Sequence, residues 1–159
     1  MKHFAALTTF VSVVTAIDGH LYITPDCTMT APGGGFGSYL RCNNLQPNTC
    51  CGIDIVDSPF QSVAVRGIRD GFAVQLVGYD GGNCTTRRAV KRNQGSSLIC
   101  IPFLGLQYTG CNYSNGPFGP FKRATPEGKA GCQRPDALVL SDGTEYALSG
   151  LGEEDFKEM

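Results

Sequence analysis

Hydrophobic positions recur along this chain in short runs, and none keeps a helical period beyond a turn or two. Apolar and β-branched residues gather in segments 21–24, 39–41, 62–65, 73–78, 98–102 and 137–140, with Gly, Pro, Asn and Asp between them. That spacing predicts strands bounded by turns. Segment 62–66 is expected to lie beside 73–77, as a hairpin or adjacent pair, across a turn rich in Gly, Arg and Asp. Asp142-Gly143, between 138–140 and 146–148, predicts another hairpin, with a type I′ turn whose two central residues both take positive φ. Segments 33–37 and 115–126 read as Gly/Pro-rich loops, and 151–159 as one helical turn at most. The glycine run at 33–37 lacks the following helix and the Lys-Ser/Thr pair of a phosphate loop. The expected fold is all-β: a small sandwich or open barrel stapled by disulfides, with little helix.

The first residues change the picture of where this fold works. Met1-Lys2-His3 is a short positive start, and the uncharged, mostly apolar run that follows ends in Val14-Thr15-Ala16. Length, flanks and the small-x-small ending predict a signal peptide over 1–16, cleaved after Ala16. The run is shorter than the about 20 apolar residues of a membrane span, so no stable membrane anchor is expected. Residues 17–159 then form a single disulfide-rich domain, with an acidic segment from about 135. The protein is expected outside the cell.

Cysteine usage points the same way. Cys27, Cys42, Cys50, Cys51, Cys84, Cys100, Cys111 and Cys132 all follow the signal, and their number is even. In an oxidising compartment this predicts up to four bridges and no obligatory thiol, with connectivity left open. The adjacent Cys50 and Cys51 are expected to bond in different directions. There is no C-x-x-C pair and only two His occur, so neither a metal site nor another cofactor is expected.

Charge is uneven although the net charge is −1. Between Arg66 and Arg134 ten basic residues face three acids, whereas from Pro135 onward seven acids face Lys157 alone. Arg87, Arg88, Lys91 and Arg92 form a candidate basic patch for an anionic surface or a host protein. The competing expectation is that the acidic segment folds over them. Aromatics do not interleave with the cations, so no nucleic-acid partner is expected.

Catalytic constellations are sparse. His3 leaves with the signal, and His20 falls in a segment expected to be a mobile terminus, so no His-based triad or ribonuclease site is expected. Asp54, Asp57, Asp70 and Asp80 sit beside turn residues, without Trp to line a sugar cleft. The expectation is a non-enzyme. Asn83-Cys84-Thr85 and Asn112-Tyr113-Ser114 are glycosylation sequons in turn-like contexts, with Asn112 the better acceptor. Among the dibasic steps, Lys122-Arg123 in the 115–129 region is the candidate processing site.

The signal, the eight cysteines, the single Cys50-Cys51 doublet and the Lys-Arg steps together resemble small secreted cysteine-rich fungal proteins of candidate-effector type. The order C, C, CC, C, C, C, C differs from the two doublets of hydrophobins. Segment 61–65 with 74–84 resembles a βγ-crystallin Greek-key stretch, Ser62 taking the family's Ser position and Tyr79 and Gly82 its aromatic and glycine. That resemblance implies a Greek-key fold. The family's calcium motif is matched over 92–97 except for Arg92, whose charge argues against an ion there. The functions these features imply are, first, an effector-like binding protein; second, an antimicrobial or killer-toxin-like protein; third, a cell-wall or carbohydrate-binding structural protein.

Overall fold

The computed structural model describes residues 16–31, 34–116 and 132–152. Its strands are β1 (Asp18–Tyr22), β2 (Thr30–Ala31), β3 (Gly35–Phe36), β4 (Ser38–Cys42), β5 (Cys50–Gly52), β6 (Ser62–Arg66), β7 (Val74–Asp80), β8 (Thr86–Arg92), β9 (Leu98–Ile101), β10 (Gly110–Asn115), β11 (Cys132–Gln133), β12 (Ala137–Leu140) and β13 (Glu145–Ala147). No helix occurs among the described residues, so the all-β expectation is met. One antiparallel sheet runs β13-β12-β4-β1-β6-β9. A second runs β11-β5-β10-β7-β8, antiparallel except for the β11–β5 pair. β2 and β3 make a small separate ribbon.

The two sheets share one core. Leu21, Leu40, Val63, Val65 and Ile99 from the first pack with Cys51, Val74, Leu76, Cys111 and Tyr113 from the second, all nearly or fully buried. Burying each large aliphatic side chain contributes about 1.5–3 kcal/mol. β6 is buried on both faces from Ser62 to Val65, because the core lies on one side and the 23–29 segment covers the other, while β1 and β9 flank it in the sheet. Ser62 Oγ fixes that cover by donating to Thr24 O at 2.7 Å and accepting from the Cys27 N–H at 2.9 Å.

Two sequence expectations need correction here. Segments 62–66 and 73–77 do not pair: β6 belongs to the first sheet, β7 to the second, and residues 67–73 carry the chain between them. Each central strand already has two neighbours, β1 and β9 for β6, β10 and β8 for β7, so no edge is left for the pairing. Ser62 and the Tyr79–Gly82 stretch, read as one crystallin-like unit, therefore lie on different sheets. The β12–β13 hairpin forms as expected, but among its turn residues only Gly143 takes positive φ, 85°. Gly143 N–H bonds Leu140 O at 3.0 Å and Leu140 N–H bonds Thr144 O at 2.9 Å. This is a type I turn closed by a glycine bulge, in place of the I′ form.

Three bridges form: Cys27–Cys100, Cys42–Cys51 and Cys50–Cys84. The second ties β4 to β5, and hence sheet to sheet; the third ties β5 to the β7–β8 loop. The doublet does bond in two directions, because neighbouring side chains on a strand point to opposite faces. The expected fourth bridge is absent: Cys111 is a buried thiol and Cys132 an exposed one. Cys111 registers with Cys51 and Cys132 with Cys50. The two thiols thus stand on opposite faces with β5 between their strands, about 9–10 Å apart at two strand spacings. That exceeds the Cα separation a bridge can span.

Candidate functional site: a basic groove at the open seam

β8 ends the second sheet and β9 the first; the two strands lie side by side without sharing a ladder. A groove of about 540 Å³ opens at this seam. Lys91, Arg92, Asn93, Gln94 and Ser96 form its polar wall; Val90, Leu98, Ile99 and Cys100 contribute apolar surface. Local chemistry shapes it. Asn93 Oδ1 accepts the Val74 N–H at 2.8 Å and its Nδ2 donates to Phe72 O at 2.7 Å, which folds the β8–β9 connection back over the start of β7. The polar atoms of the Asn93 side chain are thus spent on backbone. Gln75 is 4% exposed, and its Oε1 accepts from Arg92 Nε at 3.3 Å, holding that guanidinium at the groove.

The basic patch read from sequence falls entirely on β8, all four residues exposed. Structure divides it. Lys91 and Arg92 line the groove. Arg88 is ion-paired with Asp80 across the hairpin, and Arg87 registers with Tyr79 at the far end of the strand. A bulge at Gly78/Tyr79 makes room for the extra residue, Arg88. Cations and a bulge are also what keeps an edge strand from pairing with another copy. The acidic segment does not cover β8 with its described part. Asp136 accepts the Asn43 N–H at 2.6 Å, Asp142 caps its own turn, and Glu145 pairs with Arg41 at the other side of the first sheet. Asn93, Gln94 and Ser96 were read from sequence only as part of a calcium-motif resemblance and Gln75 only as part of a strand, none of them as groove lining. A polar Gln inside the otherwise apolar 73–78 run was the available signal.

The 81–85 loop between β7 and β8 is held tightly against the end of β5. Asn83 N–H donates to Ile53 O at 2.7 Å, and Thr109 Oγ1 donates to Asn83 O at 2.9 Å. Gly110 allows this approach, since a Cβ there would sit 2.6 Å from Asn83 O and 2.9 Å from Cys84 Sγ. Gly110→Ala should therefore lower stability by about 1–3 kcal/mol, the usual cost of overpacking. A shift in the urea midpoint measures it; an unchanged midpoint would show that the loop yields. Asn83 lies in this turn, as expected for a sequon. Asn112 does not: it is half-buried in β10 between β5 and β7, where its side chain bonds Tyr79, which corrects the turn context given to it. Lys122 and Arg123 lie outside the described residues, as do residues 1–15 of the expected signal.

His20 is the largest departure from expectation. It sits mid-strand in β1, at the centre of the first sheet, and is 4% exposed. Its ring stacks on Tyr39 at 4.7 Å and 8° between planes. Nδ1 lies 2.9 Å from Tyr22 Oη, which accepts from Arg66 Nε at 3.1 Å. The other ring nitrogen, Nε2, is buried and has no partner among the described residues. Burial, with Arg66 and Arg41 nearby, pushes the His20 pKa down to about 3. The ring is neutral at ordinary pH. No group of three or more His, Cys, Asp or Glu suited to a metal occurs among the described residues.

A protein-family model, ARB_05566_N, described as an N-terminal domain, matches residues 18–136. The chain belongs to this family. The ARB_05566_N span opens on the first residue of β1 and contains all eight cysteines, the groove and the His20 cluster. It ends before the β12–β13 hairpin, which nonetheless hydrogen-bonds along β4 and completes the first sheet. No curated protein and no solved structure matches the chain.

Proposed function

We propose that this chain is a secreted, non-enzymatic binding domain of the effector type, which captures an anionic partner at the β8–β9 groove. The observation that carries this reading is the placement of Lys91 and Arg92 beside amides and apolar surface in one groove, with Asp136, Asp142 and Glu145 of the acidic segment engaged elsewhere. Carboxylate-bearing protein surfaces and anionic headgroups both suit that lining. Host contact is the setting such a domain fits.

The test is direct. Binding to fluorescent polyglutamate and to phosphatidylserine vesicles is measured at low and high salt, for wild type and for Lys91→Ala/Arg92→Ala. Each cation near an anionic surface contributes about 1 kcal/mol, so the double variant should bind about tenfold or more weakly. Salt should weaken wild-type binding as the screening length shortens. Thermal stability should stay within about 0.5 kcal/mol, as for other surface changes. Equal binding by variant and wild type would remove the groove from the account.

A specific observation also supports the antimicrobial reading. Phe103, Leu104 and Leu106 are 44%, 59% and 39% exposed in one short loop between β9 and β10. Leakage from the same vesicles, lost in Phe103→Ser/Leu104→Ser, would favour membrane damage; tight binding without leakage favours capture.

A further inference from the structure

A strand register and a bridge bring three cysteines together at the edge of the second sheet. β11 runs parallel to β5 with Cys132 in register with Cys50, so both side chains leave the same face. Strand neighbours lie about 4.8 Å apart, inside the Cα range that a disulfide spans. Cys50 is bonded to Cys84, whereas Cys132 is an exposed thiol. A nucleophile and a disulfide electrophile therefore stand side by side.

We propose that Cys132 and the Cys50–Cys84 bridge form a thiol–disulfide exchange site, giving the domain two interconvertible covalent isomers. The Cys132 thiol loses its proton to solvent, and its thiolate attacks Cys50 Sγ. The Cys132–Cys50 bond forms as the Cys50–Cys84 bond breaks, and Cys84 leaves as a thiolate that takes up a proton. One bridge replaces another, so no oxidant or reductant is consumed.

The surroundings suit both states. The bonds of Asn83 to Ile53 and Thr109 hold the 81–85 loop without help from the bridge, so Cys84 stays in place on release. Cys84 Sγ lies 3.6 Å from Cys111 O. A disulfide sulfur has no proton to give that carbonyl, but the released thiol has one, so the product gains a weak hydrogen bond. Cys111 does not compete: it faces the core on the other side of the sheet, and burial pushes its thiol pKa up to about 12. Exchange fastens the short β11 to β5 covalently and moves the reactive thiol from Cys132 to the β7–β8 loop, at the far end of the strand that lines the groove.

The full oxidised chain tests this by slow alkylation with dilute iodoacetamide, followed by peptide mapping without reduction. Label should appear on both Cys132 and Cys84, with the Cys84 share rising as the pH is raised and as the alkylator is diluted. In Cys132→Ser, label on Cys84 should vanish. Label confined to Cys132 at every dilution overturns the proposal, as does label on Cys84 that survives Cys132→Ser, or no label on either residue. Groove binding is read separately, so loss of the proposed partner leaves this result standing.

Discussion

Acidification from pH 6.5 towards 3 should cost this fold roughly 3–5 kcal/mol through His20 alone. The sign follows from the direction of the shift. His20 titrates near 6.5 when unfolded and at about 3 when buried between Tyr39, Arg41, Arg66 and Tyr22. Between those values the unfolded chain holds a proton that the native chain cannot accept. Stability is complete above pH 6.5 and falls as pH drops through the window, by about 1.4 kcal/mol per unit at its steepest. The interval from pH 6.5 to 5 lies above the ordinary carboxylate range, so it isolates the histidine. Urea midpoints across it should slope for wild type and flatten for His20→Phe, which keeps the stack on Tyr39 and cannot titrate. Parallel slopes in the two proteins would show that His20 is accessible to protons in the native state.

Loss of the Cys27–Cys100 bridge should be the most damaging covalent change. It closes 73 residues of chain, and the entropy it removes from the unfolded state corresponds to about 4 kcal/mol. The bridge also belongs to the small cluster with Tyr22, Ala64 and Leu98 on the outer face of the first sheet. Cys27→Ala/Cys100→Ala should therefore lower the urea midpoint well beyond any single surface change. Because Cys100 and Leu98 line the groove, the same variant should also bind an anionic probe less well. A midpoint equal to that of wild type would mean that the hydroxyl of Ser62 alone fixes the 23–29 segment.

Much of the fold could be read from periodicity because the central strands are short, apolar and bounded by glycine. Segments 62–65, 73–78, 98–102 and 137–140 all became strands. β8 escaped because an edge strand with four cations has no apolar alternation to display; its place is set by the β7 ladder. β5 escaped because it is three residues long and is fixed by two disulfides and by its neighbours in the sheet. His20 was misplaced because proximity to a cleavage point says nothing about a strand that lies between β4 and β6. At the groove the cations were visible in sequence. The part played by the amides was not, because Gln75 meets Arg92 only through the register of the β7–β8 ladder, and Asn93 is turned onto the backbone of residues 72 and 74.

The Cys50-Cys51 doublet has one more consequence. A slip of β5 by a single residue would turn Cys51 to the outer face and Cys50 into the core. One cysteine of the doublet would then stand where the other had stood, so a single mispaired bond could close while the second bridge found no partner. Oxidation thus acts as a proof-reader of strand alignment: the correct frame is sealed twice, and a misaligned one leaves thiols open for another attempt.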